Sequence, residues 1–173
     1  SHDVFLKGSF EPSILEFWAI NALPRAYPPR SDQEIRLRTL LGAVECIRSG
    51  ITTTQDMLTL FPLGVRQVEV VKDAYQKVGL RCVLALQVAD VSPLDTVPYW
   101  RDVIPVELQP LLAGPPSPPD AADPLSVMES LFSAKTADPM SRWAVAPSSP
   151  ERCIRPLLER LADLAIRHDL RIF

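Results

Sequence analysis

Between Ser31 and Ser49 the apolar residues Leu37, Leu40, Leu41, Val44 and Ile47 recur at intervals of three and four, the period of an α-helix. Ser31 with Glu34 three residues on is the sequence of a capping box, and Gly50 suits the position just past the helix end. The next segment, ITTTQDM (51–57), is short and β-branched and predicts a strand. VRQVEVVKDAYQKVG (65–79) returns to helical spacing through Val68, Val71, Tyr75 and Val78, with Gly79 as its stop. LRCVLALQVAD (80–90) is almost continuously apolar, as a strand of a parallel sheet covered on both faces is. An irregular stretch follows around Tyr99 and Trp100, and Leu125–Ala134 predicts a shorter helix. RWAVAP (142–147) reads as a third strand stopped by Pro147. From Ser149 to His168 a long amphipathic helix is expected, with Ile154, Leu157, Leu158, Leu161, Leu164 and Ala165 along one side, Ser149 as cap and Pro150 at its first position. LRIF (170–173) opens a further strand.

Helices and strands thus alternate, which predicts an α/β fold with a parallel sheet and right-handed crossovers. Two architectures fit, an open doubly wound sheet and a (β/α) barrel. A nucleotide-binding open sheet needs a glycine-rich turn offering free N–H groups to phosphate. The chain has six glycines and neither GxGxxG nor GxxxxGK[ST], so that reading is set aside. In both architectures ligands gather at the carboxyl ends of the strands. The sequence places Gln55 and Asp56, Gln87 and Asp90, and Ser148 and Ser149 there.

Composition narrows the field. With 173 residues the chain is one domain's worth, able to bury a sizeable core. A net charge of −3 argues against nucleic acid or an anionic membrane surface as partner. No stretch is apolar for the roughly 18 residues a bilayer requires, and the first residues do not read as a signal peptide. Cys46, Cys82 and Cys153 are widely spaced among apolar neighbours and read as reduced thiols, which points to the cytoplasm. Of 18 prolines, six fall in PLLAGPPSPPDAADP (110–124), which predicts a surface loop within the domain. Only two histidines are present, His2 and His168.

Several segments, in this order, resemble one family: FLKG (5–8), LEFW (15–18), GAVECIRSGITTTQDM (42–57), GLRCVLALQVAD (79–90), APSSPERC (146–153) and LLERLADLAIRHDLRIF (157–173). Together they look like the amidohydrolase superfamily, in its chlorohydrolase and cytosine or S-adenosylhomocysteine deaminase branch. The resemblance implies a partial (β/α)8 barrel of the TIM type, about strands 2 to 5 with their helices, so that residues 1–173 form the N-terminal half of a metal-dependent hydrolase. It implies a zinc or iron ion whose bound water attacks a C–N or C–Cl bond of a small nitrogen heterocycle, deamination being the favoured reaction, in a protein that is a dimer when complete. The family's paired histidines would fall just before Ser1 and its next ligand just after Phe173. His2 and His168 then occupy no ligand position, and no metal or catalytic residue is expected in this chain, which by itself should be inactive. A half-barrel also leaves two strand edges unpaired, where a barrel takes about 250 residues and eight strands.

Four residues are candidates for a substrate pocket. Asp56 and Gln87 stand near strand ends, where Asp56 could equally cap a turn and Gln87 needs a partner if buried. Ser148 lies where many deaminase relatives carry a histidine, and it could equally belong to a helix-opening turn. Trp18 could wall the pocket, as the resemblance implies for the residue after LEF, although an aromatic in an apolar segment also serves as core. The rival reading is a non-catalytic α/β interaction or assembly module, which would bind no metal.

Overall fold

The computed structural model describes residues 4, 7–8, 29–110, 121–134 and 138–173. Trp18, His2 and most of the proline-rich segment, residues 111–120, lie outside that set.

The first helix, α1 (Asp32–Arg48), starts where Ser31 Oγ accepts the Glu34 N–H at 3.2 Å. Only half of the capping box forms, because the Glu34 carboxylate turns instead to Arg38 Nε at 2.9 Å. Gly50 follows at φ +80, the left-handed value that the end of a helix demands and glycine reaches without strain. The buried face of α1 is not the one its leucines mark. Ile35, Thr39 and Ala43 are buried, whereas Leu37, Leu41, Val44 and Ile47 are all at least two-fifths exposed. Thr39 can be buried because its hydroxyl donates to the Ile35 carbonyl at 2.9 Å.

Strand β1 spans Thr53–Leu58, helix α2 Val65–Val78 and strand β2 Arg81–Val88. A 3-10 turn (Pro93–Thr96) and the short helix α3 (Trp100–Val103) occupy the irregular stretch. Helix α4 (Pro124–Ser133) opens at the last proline of the proline-rich segment, with Asp123 Oδ2 accepting the Ser126 N–H at 3.0 Å. Strand β3 runs Ser141–Pro147.

The last helical region differs from expectation. A 3-10 turn covers Pro150–Arg152, the chain is extended at Cys153 and Ile154, and α5 runs only Arg155–Arg167. Ser149 makes no side-chain cap. Pro156 explains the break: in a continuous helix it would offer no N–H to the Arg152 carbonyl, and its ring would clash with that same group. The freed Arg152 carbonyl accepts instead from Asp90 N at 3.2 Å and Val91 N at 3.0 Å.

The three strands are parallel and lie in chain order, β1-β2-β3, with Leu58 opposite Leu86 and Leu86 opposite Val145. Beyond β3, Val145 forms a parallel bridge to Ile172, so LRIF does begin a strand. One core holds Leu58, Leu84, Leu86 and Val145 together with Ile35 of α1, Val68 and Val71 of α2, Met128 of α4 and Leu161 of α5. These four helices therefore cover a single face of the sheet. On the other face Ala85, Ala144 and Ala146 form a separate buried layer with Val83. A doubly wound sheet would carry helices on both faces; a one-sided helical layer over consecutive parallel strands is barrel architecture.

Candidate functional site

Side chains alternate along a strand, so each residue's face is set by its parity. On the face opposite the helices, Gln55 and Met57 of β1 lead up to Thr59, Val83 and Ala85 of β2 lead up to Gln87, and Ala144 and Ala146 of β3 lead up to Ser148. Small residues make the floor. Polar residues make the rim at the carboxyl ends.

The rim is tied together by directional bonds. Thr59 Oγ1 donates to Gln87 Oε1 across β1 and β2. Ser148 N donates to Val88 O at 2.9 Å, which carries the β2–β3 ladder one step past the strand. Arg152 Nη1 donates to Ser148 Oγ at 2.9 Å, and its Nε to Val91 O at 3.2 Å. Asp90 Oδ1 accepts the Ile154 N–H at 2.9 Å, and the Cys153 thiol lies 3.6 Å from Val88 O. The loops after β2 and β3 are thus joined by backbone and guanidinium bonds from both sides.

Of the predicted residues, Gln87 and Ser148 come together on this rim. Asp56 does not join them. Strand β1 continues through Met57 and Leu58, so Asp56 sits inside the strand rather than at its end, and its parity turns it toward the helices. There it is 5% exposed and accepts the Tyr75 hydroxyl at 2.9 Å. That bond lets an aspartate, a poor strand former, remain in β1. Trp18 lies outside the described residues. Sequence reasoning missed Arg152 and Thr59. The signal for Arg152 was Pro156, which ends any helix before it and leaves residue 152 in a loop beside Ser148.

A concavity of about 730 Å3 lies on the helix side along the outer edge of β1, lined by Lys7, Glu45, Arg48, Thr54, Asp56 and Tyr75 among others. Lys7 pairs with Glu45 across it. Among the described residues no group of three or more His, Cys, Asp or Glu side chains is placed to hold a metal ion. At the C-terminal end of α5, His168 Nε2 lies 2.8 Å from Glu129 Oε1.

No family model and no curated protein matches the chain. Solved structures do match. A triazine hydrolase from Arthrobacter aurescens aligns over 82% of this chain and 29% of its own, with TM-score 0.60 and 19% identity. A triazine hydrolase variant aligns over 94% and 35%, with TM-score 0.69 and 18% identity. A mutant of atrazine chlorohydrolase from Arthrobacter aurescens TC1, complexed with zinc and atraton, aligns over 92% and 34%, with TM-score 0.65 and 17% identity. The chain spans about a third of the length of these proteins. At these identities the likeness is one of fold: the sheet and its helical layer are those of part of a TIM-type barrel.

Proposed function

We propose that this chain supplies part of the barrel of a metal-dependent hydrolase that cleaves a C–N bond, or in the second instance a C–Cl bond, of a small nitrogen heterocycle. The observation that carries the reading is a coincidence of two independent signals. The motifs ending in Asp56–Met57, in Asp90 and in Cys153 resemble the amidohydrolase superfamily, and the fold built by those same segments is that of hydrolases acting on triazines. Chloride displacement stays in the reading because one structural neighbour is a chlorohydrolase.

The family's divalent ion, zinc or iron, does not fit the described residues, which assemble no ligand set. No step through a metal is therefore assigned to them. What this chain's own side chains offer is a substrate wall: Gln87 and Ser148 at the rim, beyond the buried alanine layer. The ion's ligands, on this reading, belong to residues outside the described set, and the isolated stretch has no hydrolase activity. A cytoplasmic location, supported by three cysteines that are all free, and assembly as a dimer complete the proposal.

The test is expression of the protein from its complete reading frame, followed by elemental analysis and by assays of ammonia and chloride release from amino- and chloro-substituted triazines and pyrimidines. Stoichiometric zinc or iron with release that a chelator abolishes is the expected result. Well-folded protein without metal and without release would overturn it in favour of an assembly module.

A further inference from the structure

The outward side of α1 is apolar, where the outward side of a barrel helix is normally polar. Between Arg36 and Arg48 the exposed side chains are Leu37, Leu41, Val44 and Ile47, at 50%, 41%, 41% and 42%. With 3.6 residues per turn, Leu37, Leu41 and Val44 form one stripe, with Ile47 beside it, on the side of the helix away from Ile35, Thr39 and Ala43. Neither neighbouring surface uses this stripe. The core takes Ile35 and Ala43, and the concavity along β1 takes Gly42, Glu45 and Cys46, reaching the stripe only at Arg48. Closing the barrel would fill the concavity and pair the free edge of β1, but helices form the outer ring of such a barrel and the stripe would stay in water. Charged side chains border the stripe without crossing it, Glu34, Arg38 and Glu45 along one side and Arg36 along the other. An apolar centre inside a charged border is the anatomy of a protein interface.

We propose that this stripe is the contact between two copies of the chain, with α1 packing antiparallel on α1 of the second copy about a two-fold axis at Leu41. The proposal gives the dimer of the reading above its surface and rests on that assembly, not on the hydrolytic chemistry. Charge selects a second copy in this orientation. The first turn of α1 carries Asp32 and Glu34, and its last turn carries Arg48. Leu41 stands midway between Glu34 and Arg48, so each copy's Arg48 falls over the acidic first turn of the other. Arg48 is exposed and has no ion-pair partner among the described residues. A parallel arrangement would instead set Arg48 against Arg48 and align the two helix dipoles. The same axis brings Leu37 to Val44 of the second copy and Leu41 to its own counterpart, the self-matching that a two-fold interface requires. Four aliphatic side chains make the centre of an interface and not all of it. A stable dimer covers about 800 Å2 per partner, and Arg36, Arg38, Glu45 and Arg48 supply the rim.

Sedimentation velocity on the protein from its complete reading frame reads the assembly directly. A dimer is expected at micromolar concentration. Leu41→Glu and Leu41→Lys should each raise its dissociation constant roughly a hundredfold or more, since each sets like charges face to face in an apolar contact. An equimolar mixture of the two variants should dimerise again, because residue 41 meets its own counterpart on the axis. Unmodified protein that is monomeric, variants that stay dimeric, or a mixture that stays monomeric would each overturn the interface. Should either variant fail to fold, Leu41→Cys decides: under mild oxidant it should give a disulfide-linked dimer, and Leu37→Cys, one turn from the axis, should not. No link at position 41 would overturn the proposal and mean that another segment of the same protein, or a different partner, covers the stripe. A dimer lost with the substitutions, in a protein that releases neither ammonia nor chloride, would support the interface and sink the hydrolase chemistry alone. An active hydrolase whose dimer ignores them would sink the interface alone.

Discussion

The Tyr75 hydroxyl donates to the Asp56 carboxylate at 2.9 Å, inside the layer between helix α2 and strand β1. Both residues are buried, at 4% and 5% exposure, and the bond ties a helix to a strand. Tyr75→Phe removes a donor from a buried carboxylate and should cost about 1–3 kcal/mol in urea unfolding. Asp56→Ala removes that acceptor instead, and the double variant should lose clearly less than the sum of the two. Additive losses would show that the pair is not coupled.

Cys82, next to Asp56 in the adjoining strand, should be inert. Burial, assisted by the nearby Asp56 charge, pushes its thiol from an ordinary 9.0 up to about 12. A raised thiol pKa contributes stability that is whole below about pH 9 and is lost as pH climbs toward 12. Iodoacetamide at pH 8 should label Cys82 only on unfolding, which peptide mass spectrometry reads directly. Rapid labelling in the native protein would contradict the burial.

Glu129 joins the end of α5 to α4. His168 Nε2 lies 2.8 Å from one of its oxygens and Arg167 Nη1 2.7 Å from the other. The hydrogen bond from His168, then that from Arg167, hold its carboxyl below the usual 4.5. A lowered carboxylate pKa contributes stability above pH 4.5 that is lost as pH falls through the folded value. Glu129→Gln should therefore flatten the acid limb of a melting-temperature profile below that pH. An unchanged acid limb would remove Glu129 from the account.

The alanine layer should resist enlargement. Ala144 has no exposed surface, with Ala85 and Ala146 beside it. Ala144→Leu adds three carbons to a filled space and should cost about 1–3 kcal/mol by chemical denaturation. A neutral result would mean that the layer yields.

The strands and helices were legible because their apolar spacing is strong. Val68, Val71 and Tyr75 predicted the buried face of α2 correctly, and β2 was recognisable from its unbroken apolar run. The buried face of α1 was not legible, since large aliphatics mark one side while the core takes the side bearing Ile35, Thr39 and Ala43. There small side chains win by allowing close approach to α2, a choice that periodicity of size cannot reveal. Asp56 misled for a related reason: an acid in a β-branched run reads as a strand end until its buried partner, nineteen residues away, is known. Gln87 and Ser148 could be named from strand ends, but their bonding to Thr59 and Arg152 depends on register across strands.

The bridge between Val145 and Ile172 reaches further than its size suggests. The Arg171 carbonyl accepts from Val145 N at 3.0 Å, and Phe173 N donates to the Val145 carbonyl at 3.0 Å, so one residue of β3 clasps three of the following segment. That clasp fixes parity: Ile172 takes the helix side with Val145, and Arg171 and Phe173 turn the opposite way. A slip of one position would swap an aliphatic branch for an aromatic ring on the helix side. A single crossing point thus decides which chemistry the next strand shows to either side.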